Sequence, residues 1–283
     1  MLWLAVGTAA TIASAFVGNE ALLGIPILFA ISWPLERIWR RHPVPVRRIG
    51  LRTDLAYAAA QVPLQVIGLA VAVVVAIVSL GWLPGLLLRP LVTALPFWVQ
   101  VIAGILAFDV LIYWGHRWMH TVPLLWRFHS IHHSTIHLDW VSGFRNHPFD
   151  GVFLAPAAAF LIGAGLDNRF VGALAVLQFV TGLWAHLNVR WRLRPLRAVV
   201  LTPDFHHWHH ANEPEAINKN FSVFLPIWDI AFGSYYMPAD KRPQRYGVND
   251  PVPPDITGQL LYPFHGVRAA IGRRRSLRRA ARS

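Results

Sequence analysis

Cysteine is absent from this 283-residue chain. Its absence excludes disulfides, iron–sulfur clusters, thiolate-ligated haem and every zinc site built on cysteine. Acidic residues are scarce as well, with 14 Asp and Glu against 26 Lys and Arg and a net charge of +12. None of the glutamates begins a Glu-x-x-His pair, which excludes the soluble carboxylate-bridged dimetal bundles. There is no glycine-rich flavin or nicotinamide fingerprint and no His-Pro-Gly-Gly haem motif. Any metal must therefore be held by histidine with help from oxygen or asparagine, and any electrons must come from a separate protein.

Charge of both signs is low, at 14% of residues, while 55% are hydrophobic and the mean hydropathy is +0.42. That is too apolar for an ordinary soluble domain of this length. Thirteen Trp and sixteen Phe suit interfacial belts and a lipid-facing surface. The expected fold is all-α, a polytopic membrane helical bundle with a cytoplasmic helical cap. Residues 1–95 form an N-terminal transmembrane region. Within it, residues 2–33 are apolar apart from Asn19 and Glu20, giving either one long tilted span or a short segment followed by a spanning helix. The N-terminus has neither a basic n-region nor a clear cleavage site, so a removed signal peptide is not expected. Ile67–Leu80 is an uninterrupted apolar run at the centre of a second span over residues 55–82. Leu83–Leu95 reads as a Pro-rich turn carrying Arg89, and Pro96–Trp114 as the next span, leading into His116. Apolar stretches at 151–166 and 169–187 predict a helical hairpin that dips into or crosses the bilayer. A catalytic segment over 96–240 contains that hairpin, and 241–283 forms a basic tail.

Two blocks of arginine stand out, Arg37–Arg52 and Arg268–Arg282. Both read as positive-inside flanks beside anionic lipid. No nucleic-acid recognition module accompanies them, so a nucleic-acid partner is not expected. With the Arg37–Arg52 loop cytoplasmic, the Arg89 loop lies on the far side. Every histidine cluster and the C-terminus then return to the cytoplasmic face.

Twelve of the 14 histidines lie between His116 and His210. They read His116-x3-His120, His129-x2-His132-His133 and His206-His207-x-His209-His210. Imidazole is the commonest neutral metal ligand. Residues spaced i, i+4 share one helix face about a turn apart. Adjacent histidines point about 100° apart on a helix. One of a pair such as His132-His133 then reaches one metal while its neighbour reaches a second, so the doubled pattern predicts a dinuclear centre.

The motifs HRWMH, HSIHH and FHHWHH resemble those of the fatty acid hydroxylase and sterol desaturase superfamily, integral-membrane non-haem di-iron enzymes. The resemblance continues in the approach Asp109-Val-Leu-Ile-Tyr113 to the first box and Leu125-Trp126-Arg127-Phe128 before the second. It extends to Thr202-Pro203-Asp204-Phe205 before the third and to Asn220, Ile227-Trp228-Asp229 and Phe232-Gly233 beyond it. It covers about residues 100–235. It implies His116, His120, His129, His132, His133, His206, His209 and His210 as metal ligands. It implies further ligands between the second and third boxes, with His186 first and His147 next. His207 is an additional histidine, read as a bystander. Phe221-Ser222 replaces a Tyr-Gly-like pair. Asn188 stands as a substitute for a second histidine expected near His186. Asp109, Tyr113, Asp204 and Asp229 are candidate groups behind the ligands.

The function implied is hydroxylation or desaturation of a lipid, fatty acyl, sterol-like or related. It uses two Fe ions, O2 as co-substrate and two electrons from a separate electron-donor protein. Zn is a possible substitute for iron in purified protein. A carotenoid or alkylglycerol-type monooxygenase is the alternative within enzymes. A membrane metal transporter or metal-binding protein is the alternative of another class.

Overall fold

A computed structural model describes residues 20–265. The proposed span at 2–33 is therefore covered only from Glu20, and the arginine tail at 268–282 lies outside the described residues. The described residues are helical and contain no strand. Only isolated bridges occur, Arg40 to Val189 and Ala211 to Tyr246.

Helix α1 is Glu20–Ile38, α2 Leu51–Ala59, α3 Gln61–Val78, α4 Trp82–Thr93, α5 Phe97–Thr121 and α6 Pro123–His133. A 3-10 helix, Trp140–Phe144, follows, and a second, Gly151–Leu154, leads into α7 (Ala155–Gly163). The chain continues through α8 (Asn168–Ala185), α9 (Pro203–His209) and α10 (Ile227–Ala231). Residues 256–265 are helical and lie against α6, where Arg127 donates to the Tyr262 carbonyl.

Helices α3 and α5 are each long and apolar enough to cross a membrane. At about 1.5 Å per residue α5 is roughly 37 Å long. Their outward side chains, among them Val66, Leu69, Val73, Ile77, Phe97 and Ile102, are exposed and apolar, as a lipid-facing surface requires. A hydrophobic core lies behind them, where Phe108 and Ile112 of α5 meet Leu161 of α7 and Val171 and Leu174 of α8.

The segment expected to be a turn at Leu83–Leu95 is helical, as α4. Pro84 falls in the first turn, where its missing N–H has no intrahelical partner to lose. Pro90 lies inside the helix and is accommodated there. Helix α4 packs on α7 through two close backbone approaches. A Cβ on Gly85 would sit 2.3 Å from the Phe160 carbonyl oxygen, and one on Gly163 would sit 2.6 Å from that of Trp82. Residues 151–187 contain α7 and α8, and the turn between them lies against Thr93 at the end of α4.

The break between α5 and α6 is set by Pro123. The preceding residue, Val122, is extended (φ −95°, ψ 115°), as a pre-proline position prefers, and Pro123 then opens the next helix. The chain reverses there and returns α6 alongside the last turns of α5. Beyond α6, a buried charge network fixes the surrounding loops. Asp54 pairs with Arg48 and with Arg145, each at 2.6 Å, and Arg48 also grips Asp139 at 2.6 Å.

The α4–α7 contact gives a direct check. Gly85→Ala should cost about 1–3 kcal/mol by forcing the backbones apart. Thermal unfolding of the purified protein in detergent should show this as a lowered midpoint. An unchanged midpoint would mean that the two helices are not in contact.

Candidate metal centre

Four helices deliver histidines to one end of α5. His116 and His120 come from its last turns, and His129, His132 and His133 from α6. His186 is the C-cap of α8, while His206, His209 and His210 come from α9 and its C-cap. Thr202 starts α9, its hydroxyl accepting the Phe205 N–H at 3.2 Å, with Pro203 at the first helical position.

The nine side chains form two groups. His116, His120, His129, His133 and His209 make the first, and His132, His186, His206 and His210 the second. Within each group one ring nitrogen per residue lies within 4.8 Å of all the others. The adjacent pairs divide, so that His133 and His209 face the first group while His132 and His210 face the second. The groups abut, with His133 stacked on His210 at a ring-centroid distance of 4.1 Å.

Five of these rings have a determined proton position, because a fixed acceptor takes one ring N–H. Nδ1 of His116 donates to the Phe221 carbonyl at 2.7 Å, and that of His132 to the Arg145 carbonyl at 3.2 Å. Nδ1 of His186 donates to the Gly182 carbonyl at 2.6 Å, and that of His209 to the Lys219 carbonyl at 2.9 Å. Nδ1 of His129 donates to the Asp150 carboxylate at 2.9 Å. Each Nε2 is then a bare lone pair aimed into its group, the arrangement that orients metal-bound histidine.

The consequence is electrostatic. The Nε2 atoms of His116 and His129 are 3.1 Å apart with no proton to share. Nε2 of His120 and of His209 are buried without any hydrogen-bond partner. Burial pushes the imidazoles of His132, His133, His206, His209 and His210 well below their ordinary value of 6.5, and neighbouring imidazoles add to the effect. Those five rings therefore stay neutral at neutral pH, and protonation does not relieve the crowding of their lone pairs. A metal ion between the lone pairs does, since metal–nitrogen bonds of about 2.0–2.1 Å set neighbouring ligand nitrogens about 3 Å apart. The donor set fits two cations that take neutral nitrogen ligands.

The remaining candidates lie elsewhere. His147 is outside both groups, its Nε2 donating to the Leu260 carbonyl at 3.2 Å and its Nδ1 accepting the Phe149 N–H at 3.1 Å. His207 is also outside, held between the Tyr246 hydroxyl at 2.7 Å and the Leu187 carbonyl at 3.0 Å. The Asn188 amide is occupied by both backbone groups of His42 and does not reach the histidines.

Asp109 and Asp229 act at one remove. Asp109 accepts the Phe224 and Leu225 N–H groups and the Trp228 indole N–H. Asp229 accepts the Phe221 and Ser222 N–H groups at 2.8 Å. Together they pin the loop whose Phe221 carbonyl holds His116. Tyr113 bonds Ser234, which donates to Asp229. Asp204 pairs with Arg41 at 2.5 Å and touches no histidine. Sequence reasoning missed Asp150, and it missed Trp126 and Phe221 as walls of the first group, 5.2 Å from the His120 ring. The one available signal for Asp150 was a lone acid in an apolar stretch soon after the second box.

Comparison with known proteins follows the same residues. Residues 101–234 match the fatty acid hydroxylase family. An ornithine lipid hydroxylase of Rhizobium tropici is 34% identical over 60% of this chain and 51% of its own length. Alkylglycerol monooxygenases are 30% identical, that of Danio rerio over 52% of this chain and 32% of its own length, and that of Homo sapiens over 55% and 34%. The match thus spans about half of the first relative and a third of the others. No solved structure matches the chain.

Asp150→Asn keeps the shape but removes the charge on His129. It should weaken metal binding about 10–100-fold, the usual cost of losing such a partner. Competition with a calibrated chelator measures this, with Asp204→Asn as the comparison. Equal affinities for the two variants would remove Asp150 from the site.

Proposed function

We propose that this chain, whose residues 101–234 match the fatty acid hydroxylase family, is a membrane-bound hydroxylase of a lipid, working through two iron ions. The observation that carries the reading is the pair of abutting, buried, all-histidine groups. The iron pair, when bound, supplies the redox chemistry that activates O2 toward an unactivated C–H bond. In balance, a C–H bond, O2, two electrons and two protons give an alcohol and water. Zinc in the purified protein would be a substitute.

The protein's part is to hold, orient and exclude. The nine histidines hold the metals, and four backbone carbonyls with Asp150 fix which ring nitrogen faces them. Phe221 and Trp126 wall the first group against water. Asp109 and Asp229 keep the Phe221 loop against α5. The groups sit at one end of α5, so a lipid carbon approaches from the bilayer. The Arg37–Arg52 loop and the C-terminus face the cytoplasm. Electrons come from a separate protein there, for which exposed arginines such as Arg190 and Arg194 offer a cationic landing.

Hydroxylation is favoured over desaturation because the matched relatives named above are a hydroxylase and monooxygenases. A metal transporter would set its ligands along a path through the bilayer. Here they are gathered at a helix end and screened by aromatic rings.

Iron-loaded protein in bilayers, given a chemical reductant and isotopically labelled dioxygen, tests the proposal. One labelled oxygen atom should enter a lipid per turnover, by mass spectrometry. A fully loaded, folded protein that places no label in any lipid of its native membrane would overturn it.

A further inference from the structure

An open cleft of about 70 Å³ lies outside the histidine groups, at the C-terminal end of α1. It is bounded by Trp33, Glu36, Arg37 and Arg40, by Trp140 of the first 3-10 helix, and by Asn188. That volume holds roughly two water molecules, or one ammonium group with its first carbon. The second histidine group is one wall away. Gly143 of the same 3-10 helix packs so closely on His186 that an added Cβ would stand 3.3 Å from its ring.

The cleft is unusual in its ionisable groups that lack an ion-pair partner. The neighbouring carboxylates are neutralised, Asp139 by Arg48 and Asp54 by Arg48 and Arg145. Glu36 is not. Its Oε1 accepts the N–H groups of Trp140 and Asn188, both at 2.9 Å, and no cation pairs with it among the described residues. The two backbone bonds fix the carboxylate as part of the floor rather than a mobile surface acid. At the rim the signs reverse. Arg37 and Arg40 are exposed and have no carboxylate partner among the described residues, Arg37 lying 5.0 Å above the Trp33 ring. On the same face of α1 as the cleft, Phe29 stacks on Trp33 at a ring-centroid distance of 6.3 Å and packs on Trp140 at 5.9 Å, which continues the cleft as an apolar track.

A fixed acid at the floor, two free arginines at the mouth and an apolar track leading away match one chemical class. We propose that this cleft binds the headgroup of a zwitterionic lipid, its primary ammonium on Glu36 and its phosphate or carboxylate on Arg37 and Arg40. The acyl chain lies along α1. Resting on the hydroxylase reading, the cleft would anchor the substrate beside the second histidine group. Glu36 then acts as a specificity residue: a quaternary ammonium cannot donate to it, and a headgroup without an amine leaves it unpaired.

The test needs no turnover and so stands apart from the oxygenase reading. Full-length, metal-loaded protein without reductant is embedded in phosphatidylcholine bilayers doped equally with phosphatidylethanolamine and phosphatidylglycerol. Lipids retained after gentle detergent extraction are counted by mass spectrometry. Phosphatidylethanolamine should be enriched roughly tenfold over phosphatidylglycerol, the worth of one charge-assisted contact. Glu36→Gln should abolish that preference at unchanged metal content. The paired Arg37→Gln and Arg40→Gln variant, altered only at the exposed rim, should lower retention of phosphatidylethanolamine. Excess soluble glycerophosphoethanolamine should compete. Equal or greater retention of phosphatidylglycerol would overturn the proposal, as would a preference that survives Glu36→Gln in folded protein. Failure of the soluble headgroup to compete would overturn the headgroup assignment.

Discussion

Repulsion between buried imidazole lone pairs is the constraint on which this structure depends. Nine neutral rings converge from four helices, and at least one pair of bare nitrogens stands 3.1 Å apart. Both rings are buried, so solvent does not relieve the contact. Cations at two points convert the same geometry from a cost into a gain, and metal binding thereby contributes to folding. The surrounding architecture serves to keep the rings aimed inward before any ion arrives.

That aim is held by backbone more than by side chains. Carbonyls of Arg145, Gly182, Lys219 and Phe221 each take one ring N–H. Two of those carbonyls are in turn placed by buried charges. Arg145 is fixed by Asp54, and the Phe221 loop is fixed by Asp109 and Asp229. Asp54 and Asp109 therefore stabilise the site although neither touches a histidine. The cost of burying such carboxylates is offset by the two to three donors each one accepts.

The histidine spacing carries the site legibly, because i, i+4 pairs and adjacent pairs have only one helical geometry. The nine rings gathered by the structure are those the motifs and the Trp184-Ala-His186 context single out. What does not show in the sequence is of three kinds. Backbone acceptors have no residue identity, so the roles of Gly182 and Lys219 leave no trace. Long-range partners depend on where loops return, which is why Asp150 was not foreseen and why Asn188 is spent on His42 instead. Helix α4 illustrates a third case. Pro84 and Pro90 read as a turn, but a proline in the first turn costs little, and packing of Gly85 on α7 decides the outcome. The two apolar spans were legible from length and composition alone.

The most direct test of the account is the number and location of metal ions. Protein loaded with ferrous iron under anaerobic conditions and freed of excess should hold about two ions per chain, bound largely by nitrogen in X-ray absorption. His186→Gln should loosen one ion and leave the other in place, since His186 belongs only to the second group. A folded protein that saturates at one ion, or that loses both ions together with His186, would contradict a centre built as two adjoining histidine groups.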